Sequence, residues 1–195
     1  MNNLPFFTIV MAFLMGITGK LSAQLQADIK SGTITLDDQT LELKKEIGGG
    51  GEISLLLASD NRIDGLCTFD KNTLQSGRAF IFDNISLGYA TDAASGKVTQ
   101  LSYNTAAPKE LQNATLVITQ IGREVLRLPV RDICNIETGN NISDEYRQLK
   151  SLRYLLDDQT IQIKLIFPDG VTLDGAAKHY VYLRLNGLQT TKKAA

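Results

Sequence analysis

The chain is poor in the residue types that catalytic and metal sites need. Its 195 residues include one histidine, two cysteines and no tryptophan. A Ser-His-Asp or Cys-His arrangement would have to use His179, because no second imidazole exists. A zinc site would have to bring Cys67, Cys134 and His179 together from remote segments, without a local pair such as Cys-x-x-Cys. The sequence therefore predicts a protein that is not an enzyme and that needs no cofactor or metal.

An excess of either charge is also lacking. Lys and Arg total 20 against 21 Asp and Glu, which leaves a net charge of -1. Without a positive field over the whole chain, nucleic acid is not an expected partner. A small hydrolase stays open as a minor alternative, because paired carboxylates can cleave glycosidic bonds. The acids on or near predicted strands are Asp60, Asp64, Asp70, Asp83, Glu124 and Asp132.

Cysteine is sparse, and both copies lie inside apolar runs. Cys67 stands in GLCTF and Cys134 in RDICN. Two buried, reduced thiols are the simpler interpretation, since a free cysteine packs like a small apolar side chain. A Cys67–Cys134 disulfide is the alternative if the protein is exported, and the spacing does not decide between them.

One apolar stretch, from Leu4 to about Ile17, dominates the first segment. It is shorter than the ~20 residues that a membrane-crossing helix needs. A secretory leader cut after Ala23 is one interpretation, although no Lys or Arg precedes the stretch and Lys20 lies near the cleavage region. The other is a retained arm over residues 1–30. Apolar residues recur there at the spacing of one helix face: Phe7, Val10, Met11, Leu14, Ile17, Leu21 and Leu25.

Residues 31–195 are predicted to form one all-β domain, an antiparallel β-sandwich of about eight strands. The clearest unit is a hairpin, in which Leu116 and Ile118 precede a turn at 120–123 and the run 125–130 follows it. Gly122 favours this turn because glycine takes a positive φ without steric cost. Further strands are expected at 33–36, 41–43, 53–58, 65–69, 79–90, 98–103, 161–167 and 179–185.

Three local features refine this prediction. The apolar alternation of residues 79–90 changes phase at Asp83–Asn84, which predicts a β-bulge. Apolar residues three and four apart predict a short helix near 143–156, capped by Ser143 or Asn141. The run 36–44 recurs almost unchanged at 156–164, which indicates a turn-then-strand unit used twice. A calcium site at this repeated pair of aspartates would have too few oxygen ligands.

The run LQSGRAFIFDNISLGY (74–89) resembles a strand of the jelly-roll capsid proteins of tailless, lipid-containing bacteriophages. The hairpin 113–130 and the closing run 179–192 are similar to later strands of the same folds. The resemblance implies an eight-stranded jelly roll that assembles into a shell. It also implies an N-terminal arm that reaches a neighbour or the membrane beneath, and no catalytic residues. The chain has room for a single roll.

The sequence therefore predicts a non-enzymatic virion structural protein, of the capsid or vertex type, that self-assembles. Its expected partners are copies of itself and other virion proteins, with the apolar face of residues 7–25 as the assembly contact. An internal lipid membrane is a further expected partner, which the N-terminal arm would reach. The alternative is an exported β-sandwich of a bacterial envelope, used for adhesion or ligand binding. That protein would begin near Gln24 and would lie in the periplasm or outer envelope.

Overall fold

The computed structural model describes residues 4–92, 97–137 and 146–193. Two four-stranded antiparallel sheets lie face to face, and apolar side chains from both sheets form one core between them. The predicted antiparallel β-sandwich is thus confirmed. The eight strands are β1 (Ile34–Ile47), β2 (Glu52–Ser54), β3 (Ala79–Asp92), β4 (Thr115–Gln120), β5 (Arg123–Pro129), β6 (Arg147–Leu156), β7 (Ile161–Ile166) and β8 (Lys178–Lys192).

The order of the strands within each sheet differs from their order along the chain. The first sheet has the order β1-β8-β3-β6 and the second sheet the order β2-β7-β4-β5. Only β4 and β5 are neighbours both along the chain and within a sheet, so the predicted hairpin at 116–130 is confirmed. Each other connection between consecutive described strands passes from one sheet to the other. Most contacts within each sheet therefore join residues that are distant in sequence.

The core follows from alternation along the strands. On β3, Phe80 and Phe82 point inward, and on β8 Leu183 does the same. Leu116 and Ile163 reach the same core from the second sheet. Each of these side chains is almost fully buried, and burial of one such side chain contributes about 1.5–3 kcal/mol.

Two helices precede β1 and a short one precedes β4. They are α1 (Leu4–Gly16), α2 (Ala23–Lys30) and α3 (Lys109–Gln112). The helical structure that the apolar spacing of the first segment predicts is therefore confirmed. Ser22 caps α2, because its Oγ accepts a hydrogen bond from the backbone N–H of Leu25.

The predicted bulge lies in β3. Its pairing with both β6 and β8 shifts register between Phe82 and Asn84. Gly187 faces this point on β8, where an added Cβ would lie 2.0 Å from the carbonyl oxygen of Ile81. Only glycine lets the two backbones approach so closely. The bulge bends a strand that stays within the first sheet.

The predicted helix near 143–156 is wrong over the described residues. Residues 147–156 form β6, and Leu155 and Arg153 pair with Phe80 and Phe82 of β3. Leu155 lies in the sandwich core while Tyr154 and Leu156 are buried on the opposite face of the sheet. A strand buried on both faces loses its polar alternation, so its apolar spacing can imitate a helix. Residues 143–145 lie outside the described residues.

Other strand predictions fail where a segment crosses between sheets. Residues 65–69 make only isolated bridges, and residues 98–100 form a turn of 3-10 helix. The expected strand at 53–58 shortens to 52–54, while 33–36 and 41–43 merge into β1.

The repeated nine-residue unit adopts two conformations. Its first copy lies entirely within β1, whereas its second copy ends β6, turns at Asp158 and starts β7. The prediction of a turn in both copies is therefore wrong.

Candidate functional site on the outer face of the first sheet

The outer face of the first sheet divides into three zones. Strand register places an apolar zone at one end, and we call it the arm patch; it comprises Leu36, Ala79, Ile81, Tyr154, Leu156 and Leu188. The middle zone is polar and contains Thr40, Asn84, Gln148 and Asn186. At the other end lies a group that we call the tyrosine–cation zone, which comprises Lys44, Tyr103, Tyr146, Tyr182 and Arg184.

The arm patch is covered by the protein's own N-terminal segment. Val10 and Leu14 of α1 are 0% and 1% exposed, and they form one apolar cluster with the arm patch. Phe13 adds an edge-on aromatic contact, with its ring centre 5.8 Å from that of Tyr154. This cluster is separate from the sandwich core, because the first sheet lies between them.

The seven residues of the predicted contact face fall into two groups. Val10, Leu14, Leu21 and Leu25 are buried on the protein's own sheet. Met11 and Ile17 are partly buried against the same cluster, and Phe7 is 39% exposed. Six of the seven therefore take part in intramolecular packing.

A buried carboxylate fixes the position of the arm. Asp157 follows β6 and accepts a hydrogen bond from Ser22 Oγ at 2.9 Å and from the backbone N–H of Gly77 at 2.6 Å. Ser22 is also the cap of α2, so one hydroxyl group joins the start of this helix to the end of the sandwich. Sequence reasoning missed this contact, because Ser22 and Asp157 are 135 residues apart.

The opposite side of α1 carries exposed apolar side chains. We call Leu4, Ile9 and Met15 the outer α1 face. The helix contains no charged residue, so it is apolar on both sides. A helix of this kind is normally buried all round. No helix among the described ranges combines the length and the apolar character that a bilayer crossing requires.

The tyrosine–cation zone is a network of rings and charges. Lys44 Nζ lies 4.6 Å from the ring centre of Tyr182 and 5.8 Å from that of Tyr103. Arg184 Cζ lies 5.0 Å from the ring centre of Tyr182 and 4.8 Å from that of Tyr146. Cations over aromatic faces are attracted by the ring quadrupole. An open cavity of about 320 Å³ extends along this network.

Hydrogen bonds hold the rings of the network in place. The hydroxyl of Tyr182 donates to Glu42, and that of Tyr103 donates to the Val98 carbonyl at 2.7 Å. Burial raises the pKa of Tyr103 to about 12. Burial, and then the hydrogen bond to Glu42, raise the pKa of Tyr182 above its usual value. Both phenols therefore stay neutral at physiological pH.

His179 lies at the end of the first sheet, near the start of β8. Its Nε2 lies 2.7 Å from the carbonyl oxygen of Asp174 and its Nδ1 2.7 Å from the hydroxyl of Tyr89. A carbonyl only accepts, so Nε2–H donates to Asp174, and in the neutral ring Nδ1 then accepts from the Tyr89 hydroxyl. The imidazole is buried and joins β3, β8 and the segment before β8.

The two cysteines form no disulfide with each other in the structure. Cys67 is buried and Cys134 is half-buried. Burial raises the pKa of the Cys134 thiol to about 11 and also raises that of Cys67. Neither thiol is therefore an activated nucleophile at neutral pH. The described residues contain no group of three or more His, Cys, Asp or Glu side chains placed to hold a metal ion.

Five of the six carboxylates singled out in the sequence have separate side-chain partners. Asp60 pairs with Lys45 at 2.9 Å and Asp132 with Arg147 at 2.9 Å. Asp83 is buried and accepts hydrogen bonds from the side-chain amides of Asn84 and Gln148. Of the remaining three, Asp64 and Glu124 pair with Arg62 and Arg127, while the backbone carbonyl of Asp70 accepts a hydrogen bond from the Thr73 hydroxyl.

Neither a protein-family model nor a curated protein matches the chain. Function must therefore be inferred from the sandwich and from the two contrasting ends of its first sheet.

Proposed function

We propose that this protein is a non-enzymatic virion structural subunit, a single jelly roll that assembles with copies of itself and with other virion proteins. The strand order carries this proposal. In a jelly roll, two Greek keys form two four-stranded sheets, and the chain repeatedly crosses between them. The orders β1-β8-β3-β6 and β2-β7-β4-β5, with six of the seven connections crossing, support that topology.

The arm patch supports the view that residues 4–30 belong to the working protein. Ile81, Leu188 and Tyr154 point away from the sandwich core, and the N-terminal helices cover them. Loss of these helices would expose an apolar area on a sheet whose remaining outer face is polar or aromatic. Monomeric soluble proteins rarely expose contiguous apolar patches larger than a few hundred Å². A retained arm therefore explains the composition of this face better than a leader does.

The outer α1 face is then the contact with a neighbouring copy. Ile9 and Met15 are exposed side chains of an uncharged helix whose other side already packs on the sheet. Covering them on assembly would continue apolar burial from one subunit to the next. Contact of the same face with a lipid membrane is the competing outcome of the test below.

The test is the assembly state of the full-length protein. Sedimentation velocity and electron microscopy should show concentration-dependent oligomers or shells. Ile9→Asp should weaken them, because it places a charge in the contact, whereas Ile63→Asp is the matched control at an exposed site outside α1. A protein that stays monomeric at all concentrations contradicts the proposal, and flotation with vesicles would then assign the face to lipid.

The intact mass of the protein from its native source tests retention of the arm. A mass that includes residues 4–23 is the expected result. A mass that begins near Gln24 would contradict retention and would favour the exported envelope sandwich.

A further inference from the structure

We propose that a cavity at one end of the sandwich binds the carboxylate group of a small organic acid. This activity goes beyond the proposed structural function and does not depend on it. The half-buried guanidinium of Arg78 and the buried side-chain amide of Gln189 line the same cavity. Neither group has a hydrogen-bond partner within the described part of the chain. Both therefore have donors left for a ligand.

The cavity lies between the first sheet and the connection from β2 to β3, and its volume is about 50 Å³. Leu41 of β1 and Gln189 of β8 contribute to the wall on the sheet side. The connection contributes the opposite wall, which includes Arg62, Asp70 and Arg78. One water molecule needs about 10–15 Å³ of such space, so the cavity suits a group of a few heavy atoms.

Gln189 places a polar group where the strand pattern places core residues. It lies opposite Phe80 of β3, which points into the sandwich core, and residues directly opposite share a face of the sheet. Only 5% of Gln189 is exposed, yet its side-chain amide bonds to no other described residue. A buried amide without a partner costs stability. An acceptor inside the cavity would satisfy its N–H groups.

Arg78 supplies the charge that selects such an acceptor. It directly precedes β3, is half-buried, and makes no ion pair or hydrogen bond in the described ranges. A guanidinium presents its N–H groups as a planar fork that matches the two oxygens of a carboxylate. Together with the amide of Gln189, this fork satisfies a carboxylate from two sides.

The other charges near the cavity favour a ligand with one negative charge. The charged residues of the lining are two cations and one acid, Arg62, Arg78 and Asp70. Two more acids lie close by, since Asp64 is 3.9 Å from Arg62 and Asp37 lies on β1 opposite the cavity wall. Both are exposed, so solvent screens them. Three acids still repel a dianion more than a monoanion, which favours a carboxylate over phosphate.

The size of the cavity limits the affinity. A ligand with only a few heavy atoms makes few contacts, even where each hydrogen bond is charge-assisted. We therefore expect a dissociation constant of ~1–10 mM for acetate.

The experiment is thermal unfolding of the full-length protein at neutral pH in sodium acetate, with sodium chloride at equal ionic strength as the reference. At about 100 mM, acetate should raise the unfolding temperature by about 3–10 °C relative to chloride. Acetamide has the shape of acetate without its charge and should give no such shift. Acetate also acts on the whole protein surface, so the specific shift is the part that the variants below remove.

Arg78→Gln and Gln189→Leu should each weaken acetate binding about tenfold or more, and so reduce the specific shift by about half or more. In chloride, Gln189→Leu should not lower the unfolding temperature, because it replaces an unpartnered buried amide by an apolar side chain of similar size. Arg131→Gln removes an exposed arginine outside the cavity and should respond to acetate like the parent protein.

Three results would overturn the proposal. The first is an equal unfolding temperature of the parent protein in acetate and chloride. The second is an unchanged acetate shift in both Arg78→Gln and Gln189→Leu, which would assign the shift to the general protein surface. The third is a larger shift with inorganic phosphate that is lost in the same two variants, which would assign the cavity to phosphate.

Discussion

At the residue scale, the turn of the β4–β5 hairpin carries a side chain that its backbone does not favour. Ile121 and Gly122 have φ of 51° and 66°, the pair of positive values that a type I′ turn requires. Gly122 meets this requirement without cost, but a β-branched residue does not. Ile121 is also 68% exposed, so burial does not offset the strain.

Replacing Ile121 by asparagine should therefore raise stability by about 1 kcal/mol, because asparagine tolerates this conformation much better. Urea unfolding measures the change. Ile63→Asn is the matched control, since Ile63 is 52% exposed and has no positive φ, and it should give no gain. Equal effects of the two substitutions would show that surface polarity, and not strain, is responsible.

Buried phenols should make the stability of the protein depend on pH in the alkaline range. Burial raises the pKa of Tyr89 and Tyr103 to about 12, against about 10 in an unfolded chain. A raised acid pKa means that the unfolded state loses its protons first. The free energy of unfolding should thus be unaffected by these groups below pH 10 and should fall as pH rises towards 12.

The measurement is urea unfolding over this pH range, alongside the tyrosinate absorbance of the folded protein. Tyr103→Phe should reduce the alkaline loss, because one of the phenols with a raised pKa no longer titrates. An unchanged pH profile in this variant would show that Tyr103 ionises in the folded state as readily as in the unfolded one.

At the scale of elements, the N-terminal helices and the sheet are held together by one face of α1 and one buried hydrogen-bonded group. Val10 and Ile9 are neighbours in sequence, yet Val10 is fully buried and Ile9 is 57% exposed. Substitutions at Val10 therefore test docking of the arm on the sheet, and substitutions at Ile9 test any contact that its outer face makes. Asp157 helps to define where the arm docks, because the Ser22 hydroxyl donates a hydrogen bond to it only when the arm lies in this position.

A charge at Val10 should release the arm, while the same charge at Ile9 should not. Burying an unpaired carboxylate costs several kcal/mol, more than the local packing can offset. Limited proteolysis should cut Val10→Asp between α1 and β1 at rates much higher than those of the parent protein and of Ile9→Asp. Resistance of Val10→Asp to protease would mean that the arm does not depend on this cluster.

At the scale of the whole molecule, the two sheets are joined by the core and also by side chains of the second sheet that reach the edge strand β6 of the first. Gln120 of β4 donates to the Leu156 carbonyl at 2.8 Å and accepts from the Leu156 N–H at 2.9 Å. The amide thus occupies the outer edge of β6, which would otherwise present unpaired backbone groups. The guanidinium of Arg123 donates a hydrogen bond to the carbonyl of Tyr154 on the same edge.

Gln120→Leu should destabilise the protein by about 1–3 kcal/mol, because it leaves the N–H and carbonyl of Leu156 without partners. Thermal or urea unfolding measures the loss. The same variant should also associate more readily, since an exposed strand edge pairs with other chains. Thr119→Val, one residue earlier on the other face of β4, is the control and should have little effect. Equal losses of stability in both variants would show that the hydrogen bonds of Gln120 have no special role.

Sequence alone determined the features that depend on neighbours along the chain. The alternation of β3 and β8, the hairpin with Gly122 and the bulge at Asp83–Asn84 were all readable, because local chemistry and side-chain period set them. The helical character of residues 4–30 was readable for the same reason.

The tertiary structure decided what depends on pairing across long separations. Residues 147–156 became β6 because β3 pairs on one side and the arm covers one face, although their own spacing favours a helix. Ser22 met Asp157, and Lys44 met Tyr182, only when the strands took their places. These contacts join residues more than a hundred positions apart, and no period in the sequence encodes which distant strands become neighbours.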